Sequence, residues 1–485
     1  MLILNEVNMR KYIQHYQGFE ATGALEYIQR KSPDGKTVHA EFVAGTREHA
    51  EQAIACAVEA FTAWSELPGT QRGLILNRWA DRVEAHAEQL AIIDAEEVRK
   101  PIRLSRGDMN AAVSLIRYAA SLASQLEGEA FTDAGPDKMG ITIREAIGVV
   151  GAILPWNFPG LIFCQKVPFA LAAGCTVVVK PSEFTSSSAL ELAKLAEESG
   201  VPAGVITVVT GYGAPVAETI TRHPDVKLVT FTGSTQTGQK IIESSASTIK
   251  PLSLELGGKA ASIVFEDADL QKAAEKVAFA AFFNQGECCV AQSRLLVQRG
   301  VADRFTEMVV AETRKIISGD LLNPETEIGS LIHNGHFEKV KEMVAKGESH
   351  GAQVITGGNA DANAEQDYYP PTILNNVAAN NPAFLEEIFG PVLTVTPFDT
   401  LEEAAYLANL PGYGLSNSIW SQDITTCLRL GKKLLSGTVY VNTAIDGQPQ
   451  FAFGGYNKSG YGREMGKHGF EEFTQVKTLS IDITR

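Results

Sequence analysis

The sequence predicts an α/β protein built on parallel sheets, and three observations carry that prediction. Short runs rich in Val, Ile and Thr alternate with helical runs from residue 147 to 250, as βαβ units do. A second alternating block opens at 259. Hydrophobic residues make up 45% of the 485 and charged residues 20%, which supplies a large core and excludes collagen-like, disulfide-scaffold and low-complexity classes. At roughly 150 residues per domain, the length suggests about three units.

Taken in order, residues 46–66 space their apolar side chains near 3.6 and predict a helix, and 70–99 predict one or two more. Ala111 to Leu126 predicts another helical run. Residues 127–145 break the pattern: Gly135-Pro136 between short β-like runs predicts a hairpin or extension. Strands are predicted at 147–154, 176–180, 205–209 and 227–232, with helices at 186–199, at 214–222 and after Ser234. The helix at 186–199 opens on Thr and Ser and stops at Gly200 and Pro202. Beyond 259 the strands are 261–265, 294–298, 391–398, 417–421 and 438–442, and the helices 268–283 and 300–317. The change of character at 256–260 marks a boundary.

Charge and cysteine usage narrow the function classes. The net charge is −15, so an acidic surface repels phosphate backbones and anionic membranes, and no nucleic-acid partner is expected. Residues 146–165 are uncharged over membrane-spanning length, but Pro155 and Pro159 break a helix there and Asn157 would need a partner in lipid. A buried strand running into a Pro-punctuated loop is predicted instead. The N-terminus lacks a basic region followed by a long apolar run, so no signal peptide is expected. Of Cys56, Cys164, Cys175, Cys288, Cys289 and Cys427, none forms a CxxC pair, so no metal site is expected. Adjacent Cys288 and Cys289 are poor disulfide partners, and a reducing, cytoplasmic compartment is the expectation.

Several motifs end strands. Gly211-Tyr212-Gly213 resembles the start of a dinucleotide fingerprint, with Val216 where a third glycine belongs. Phe231-Thr232-Gly233-Ser234-Thr235-Gln236-Thr237-Gly238 resembles a phosphate-binding loop, with Gln239 where its lysine belongs. Each alone is also what a tight turn looks like. Both, however, lie at the C-terminal ends of strands in one βαβ block, where open α/β sheets bind nucleotides. In Lys180-Pro181-Ser182-Glu183 the lysine is a donor and Glu183 an acceptor for ribose hydroxyls, or the two are a solvated pair. Glu255, between Leu254 and Leu256 and before Gly257-Gly258-Lys259, is expected to be partly buried, which raises a carboxylate pKa toward the range of a general base. Cys288 and Cys289 follow Asn284-Gln285-Gly286-Glu287 in a loop, where a thiol is more accessible than in a core.

These residues, in this order, resemble the aldehyde dehydrogenase superfamily over nearly the whole chain. The resemblance rests on Pro155-Trp156-Asn157-Phe158-Pro159, Lys180-Pro181-Ser182-Glu183, Phe231-Thr232-Gly233-Ser234, Glu255-Leu256-Gly257-Gly258-Lys259, the Cys289 loop, Glu386-Glu387-Ile388-Phe389-Gly390-Pro391 and Phe453-Gly454-Gly455-Tyr456. The region before residue 40 is looser, and Pro33-Asp34-Gly35 is a variant of the usual opening turn.

The resemblance implies a Rossmann-like coenzyme domain (1–126 and 146–256), an α/β catalytic domain (257–470) and a small β oligomerisation element (127–145 and 471–485), assembled as a homodimer or homotetramer. It implies oxidation of an aldehyde to the carboxylic acid with NAD, NADP being a second candidate acceptor. Cys289, not Cys288, matches the nucleophile, Asn157 and the Cys289 N–H the oxyanion donors, and Glu255 the base that activates water; Lys180 is placed with this catalytic set. Ile153, Leu154, Trp156, Lys180, Ser182, Glu183, Gly213, Gly233, Ser234, Leu256, Glu387 and Phe389 match coenzyme positions. Glu183 would repel a 2′-phosphate and so favours NAD. Ile162, Gln165, Phe283, Cys288, Val290, Asp446 and Phe453 match the substrate side, with Gln448 and Gln450 nearby, and imply a small, polar pocket for hydroxylated or modest aliphatic aldehydes. Two alternatives stay open: a CoA-acylating member, which has no need of Glu255, and a non-catalytic protein that kept the fold, against which stand Cys289, Asn157 and Glu255.

Overall fold

Every residue of Thr176–Lys180 is buried. Val177 and Val179 join one apolar cluster while Val178 joins another. A strand apolar on both sides belongs inside a parallel sheet covered on both faces. The computed structural model, which describes residues 9–12, 26–32, 35–360 and 366–484, places it so. Among these residues one sheet has six strands in the order Gly460–Tyr461, Leu252–Glu255, Val226–Thr232, Val149–Ile153, Thr176–Lys180, Ile206–Val208. All pair in parallel except the edge strand Gly460–Tyr461, which is antiparallel.

A second sheet of seven strands runs Gln353–Thr356, Thr372–Asn375, Val392–Phe398, Arg294–Gln298, Ala261–Val264, Ser416–Trp420, Thr438–Val441. It repeats the pattern: Ala261 and Ile263 face one cluster and Val264 the other. The chain crosses from the first sheet to the second over 256–260. A three-stranded antiparallel sheet pairs Lys138–Ala146 with both Glu129–Phe131 and Thr474–Asp482. It leaves Phe131, Val476 and Leu479 exposed.

Four differences separate the structure from the sequence-based expectation. The helix expected from 111 spans Ile102–Leu122 and starts right after Pro101; its first turns carry Arg103 and Arg106, exposed and paired with Glu327 and Glu88, which hid the period. The helix at 214–222 is a wide turn, Gly213–Ala217, followed by Glu218–Arg222. Gly460–Tyr461 returns to the first sheet although 257–470 was assigned to the second unit, because it closes the open edge of Leu252–Glu255. A small sheet of Arg10–Tyr12, Val38–Val43 and Tyr27–Lys31 was not foreseen. Pro33 and Asp34 of the opening turn, the first eight residues and Arg485 lie outside the described residues. The uncharged stretch 146–165 divides into Val149–Ile153 and the helix Pro159–Ala173, and among the described residues no helix is long and apolar enough to cross a membrane.

Candidate active site

The Cys289 loop follows the helix Leu270–Phe282, which Asp269 caps through the Lys272 N–H. Asn284, Gln285 and Gly286 then take three consecutive left-handed conformations (φ 51°, 58° and 70°). For non-glycine residues such backbone costs about 1–3 kcal/mol each and persists only where its surroundings hold it. Here the Glu287 N–H donates to Asn284 O (2.9 Å) and Asn284 Nδ2 donates to Glu287 O (3.1 Å). Two glycines let the loop dock closely. A Cβ on Gly286 would stand 2.2 Å from Gly390 O, and one on Gly258 would stand 2.3 Å from Cys289 O.

Cys289 is half-buried and Cys288 buried. Both line a cavity of about 350 Å³ that also collects Ile162, Gln165, Phe283, Val290 and Phe453, all foreseen for the substrate side. Gln448 lines it too, whereas Asp446 and Gln450 do not. The expectation of a polar pocket is corrected: Leu115, Phe158, Leu161, Tyr440, Ile445 and Met465 make the wall largely apolar and aromatic. The cause is that this wall is assembled from separate elements: Leu115 from the helix Ile102–Leu122, Leu161 from Pro159–Ala173, Tyr440 from the strand Thr438–Val441, and Phe158, Ile445 and Met465 from the connections between them. Met465 sits at φ 61° without a glycine, which no local motif announces.

Asn157 is 4% exposed, and its Nδ2 donates to Glu287 O at 2.9 Å, two residues before the thiol. Glu255 ends the strand Leu252–Glu255. It is 2% exposed and neither carboxylate oxygen has a hydrogen-bond partner. Burial, then the nearby Glu464, hold its pKa well above the ordinary carboxylate value, with Lys166 and Arg463 opposing. Glu464 itself lines the cavity and is paired with buried Lys166. The Cys288 side chain and burial raise the Cys289 pKa, and the charges of Glu255 and Glu387 add to that, so Glu255 lies within electrostatic reach of the thiol.

A second cleft, of about 720 Å³, opens at the C-terminal ends of the first sheet's strands. Ile153, Leu154, Trp156, Lys180, Ser182, Glu183, Gly213, Gly233 and Ser234 all line it. Lys180 Nζ stands 3.5 Å from Glu183 Oε2. This corrects the grouping of Lys180 with the catalytic set: it belongs to this cleft and does not line the Cys289 cavity. Leu256, Glu387 and Phe389 do not line the cleft. Leu256 packs on Gly238, where a Cβ would come within 2.6 Å. The Glu387 carboxylate accepts the Gly258 N–H (2.8 Å), and Phe389 packs edge-on against Trp156, with centroids 5.5 Å apart. Glu218, Arg222 and Lys240 line the cleft unforeseen, as charged residues on helices carry no distinctive signal. Thr232 lines both cavities, and its buried hydroxyl has no partner.

The cleft fits a dinucleotide. Lys180 and Glu183 offer a donor and an acceptor side by side. A Cβ on Gly233 would strike the Phe231 ring at 2.4 Å, so only glycine leaves this turn open, and the helix Thr235–Ser245 begins there, capped by Ser234. Among the described residues no group of three or more His, Cys, Asp or Glu could hold a metal ion.

Comparison with known proteins agrees with this geometry. The aldehyde dehydrogenase family model matches residues 19–479. The chain is 42% identical over 441 residues to the betaine aldehyde dehydrogenase of Bacillus subtilis (strain 168), covering 89% of each chain. It is 39% identical over 470 residues to the NADP/NAD-dependent aldehyde dehydrogenase PuuC of Escherichia coli (strain K12), covering 96% of this chain and 94% of that one. The crystal structure of an NAD-dependent aldehyde dehydrogenase from Sinorhizobium meliloti superposes with a TM-score of 0.96 at 41% identity, covering 98% of this chain and 95% of the other. Likeness at this level and over this length extends beyond the fold, and the chain belongs to the aldehyde dehydrogenase family.

Proposed function

We propose that the chain oxidises a largely apolar aldehyde of modest size to its carboxylic acid, with Cys289 as nucleophile. The observation that carries this is the meeting of two cavities at Thr232, the thiol in one and dinucleotide-binding side chains in the other. NAD, when bound, supplies the hydride acceptor, and Lys180, Ser182, Glu183, Gly233 and Ser234 would hold it. Glu183 favours a free 2′-hydroxyl over a 2′-phosphate. Cys289 Sγ forms a bond to the aldehyde carbon after giving up its proton, for which unpartnered Glu255 is the nearby acceptor. The oxygen of that adduct gains charge and is met by the Asn157 amide and the Cys289 N–H. With the hydride of that carbon passed to the bound acceptor, the adduct becomes a thioester, and Glu255, its first proton released to solvent, takes a proton from water, whose oxygen attacks the carbonyl; the carbon–sulfur bond breaks, the acid leaves, and the proton held by Glu255 restores the thiol.

The pocket supports the substrate class. Its two carboxylates, Asp108 and Glu464, are each engaged by a buried lysine, Lys100 (2.6 Å) and Lys166, so they do not present uncompensated charge. The aromatic wall of Phe158, Phe283, Tyr440 and Phe453 suits an apolar body. A second reading, an aldehyde carrying an ammonium group, is favoured by the aromatic wall, whose ring faces attract a cation, by the absence of Lys, Arg and His from the residues lining the cavity, and by the betaine aldehyde relative. NADH formation across a panel of neutral and cationic aldehydes decides: higher kcat/KM for neutral alkyl or aryl members supports the first reading, and preference for cationic ones replaces it with the second. We propose further that the exposed sheet of 129–131, 138–146 and 474–482 is the oligomerisation element of a homodimer or homotetramer, and that the enzyme works in the cytoplasm, where its free thiols stay reduced.

A further inference from the structure

Glu287 stands two residues before the nucleophile and is fully buried. Its carbonyl is the acceptor for both Asn157 Nδ2 (2.9 Å) and Asn284 Nδ2 (3.1 Å). Its side chain reaches the other way. Oε1 accepts the Ile332 N–H at 2.9 Å, Oε2 lies 3.5 Å from Gln285 Nε2, and His336 Nε2 lies 3.8 Å from Oε1. The segment it grips is itself fixed. Buried Arg30 donates to Ile332 O (3.2 Å), buried Arg99 donates to Leu331 O (3.1 Å), and the Leu331 N–H donates to Asp367 O (2.9 Å). His336 hydrogen-bonds Phe389 O (2.7 Å) and packs against Trp156. The loop that carries the thiol needs such an anchor, since Asn284 and Gln285 both hold left-handed backbone.

We propose that Glu287 is a positioning residue: its side chain pins the nucleophile loop to the 331–336 segment, so that its own carbonyl fixes the Asn157 amide. The inference rests on the role proposed above for Asn157 as oxyanion donor. The pin is a matter of reach, not charge. Burial pushes the Glu287 carboxyl up to about 8, against the opposing Ile332 N–H, Gln285, Arg99 and Arg30, so the neutral acid dominates at pH 7 and glutamine is its isostere. Glu287→Gln keeps an oxygen at the same reach for the Ile332 N–H. Glu287→Asp keeps the acid but retracts it by one methylene.

The test is a set of steady-state measurements with Asn157→Ala, Glu287→Gln, Glu287→Asp and the double variant Asn157→Ala/Glu287→Asp. The rate of Cys289 alkylation by iodoacetamide and the melting temperature report independently on thiol and fold. Glu287→Gln is expected to retain kcat within about threefold, while Glu287→Asp loses about 10²-fold in kcat with aldehyde KM nearly unchanged, the size of one lost oxyanion donor. Adding Glu287→Asp to Asn157→Ala is expected to cost less than about threefold more, because both act on one group. Alkylation rates stay near wild type throughout. A folded Glu287→Gln that loses activity overturns the proposal, as does a Glu287→Asp that keeps it or an effect that multiplies fully with Asn157→Ala. Wild-type kcat in Asn157→Ala removes the oxyanion role itself and is distinguishable from these.

Discussion

Gly258→Ala tests how tightly the nucleophile is placed. The added Cβ would lie 2.3 Å from Cys289 O, whereas ordinary contacts begin at 3.4 Å. The difference, 3.4 − 2.3 = 1.1 Å, has to be opened between two backbone segments, and no rotamer change relieves it. Movement of Cys289 displaces the thiol. Movement of Gly258 breaks its N–H bond to Glu387 (2.8 Å). A misplacement of about 1 Å at reacting groups costs about 10²-fold in rate. The expected result is a kcat about 10²-fold below wild type in NADH formation, with a cooperative melt retained. Gly107→Ala is the control: a Cβ there has nothing within 4 Å, the site is in the helix Ile102–Leu122, and alanine should add about 0.5–1 kcal/mol of stability with turnover unchanged. A Gly258→Ala enzyme with wild-type kcat would refute the claim that this contact sets the position of Cys289.

Cys289→Ala should abolish turnover while Cys288→Ala leaves most of it, and the reverse pattern of steady-state rates would exchange their roles. Glu255→Gln should lose about 10²–10⁴-fold in turnover, the range of a general base, yet melt higher than wild type. The sign follows from its raised pKa: the carboxyl's favourable contribution is complete below its ordinary value of 4.5 and is lost as pH rises through the folded value, so the gap in melting temperature should widen from pH 4.5 upward and a constant gap would contradict it. Glu183→Gln should raise kcat/KM with NADP relative to NAD, and an unchanged ratio would mean that other residues of the cleft set the preference. Lys166→Met strands Glu464 in the core, and the loss expected for one partner of a buried pair is about 3–5 kcal/mol by chemical denaturation; a cost within experimental error would show that the pair is not needed.

Much of this was legible in the sequence because the parallel strands are buried on both faces, which writes unbroken runs such as TVVVK and RLLVQ into the chain. The coenzyme cleft was legible for a related reason: its residues sit at strand ends, where a period stops and a glycine or a Lys-Pro follows. The substrate pocket was the poorest, because its walls come from helix faces and remote loops. Leu115, Tyr440, Ile445 and Met465 meet only through tertiary packing, and nothing in their local sequence marks them apart from ordinary core. Asp446 was placed one side chain too far: its neighbours Ile445 and Gly447 line the cavity and it does not. Glu287 went unremarked as a functional residue because its consequence lies in its carbonyl and in a contact 45 residues away along the chain.

The distribution of unpaired groups gives the site its logic. The Thr232 hydroxyl, both Glu255 oxygens and the Lys259 ammonium are buried with no hydrogen-bond partner, and all belong to the strand ends or the crossing between the two sheets. Each such group costs about 1–3 kcal/mol relative to a satisfied one. Around them the backbone is over-determined: Gly258 against Cys289, Gly286 against Gly390, and Glu387 on the Gly258 N–H. Rigid surroundings are what keep the orphaned carboxylate from relaxing onto a neighbouring donor, and an unpaired base is what the hydrolytic step requires. The same glycines that make close packing possible therefore also keep Glu255 available, so a substitution that forces the crossing apart, Gly258→Ala among them, should lower turnover by loosening Glu255 as well as by displacing Cys289.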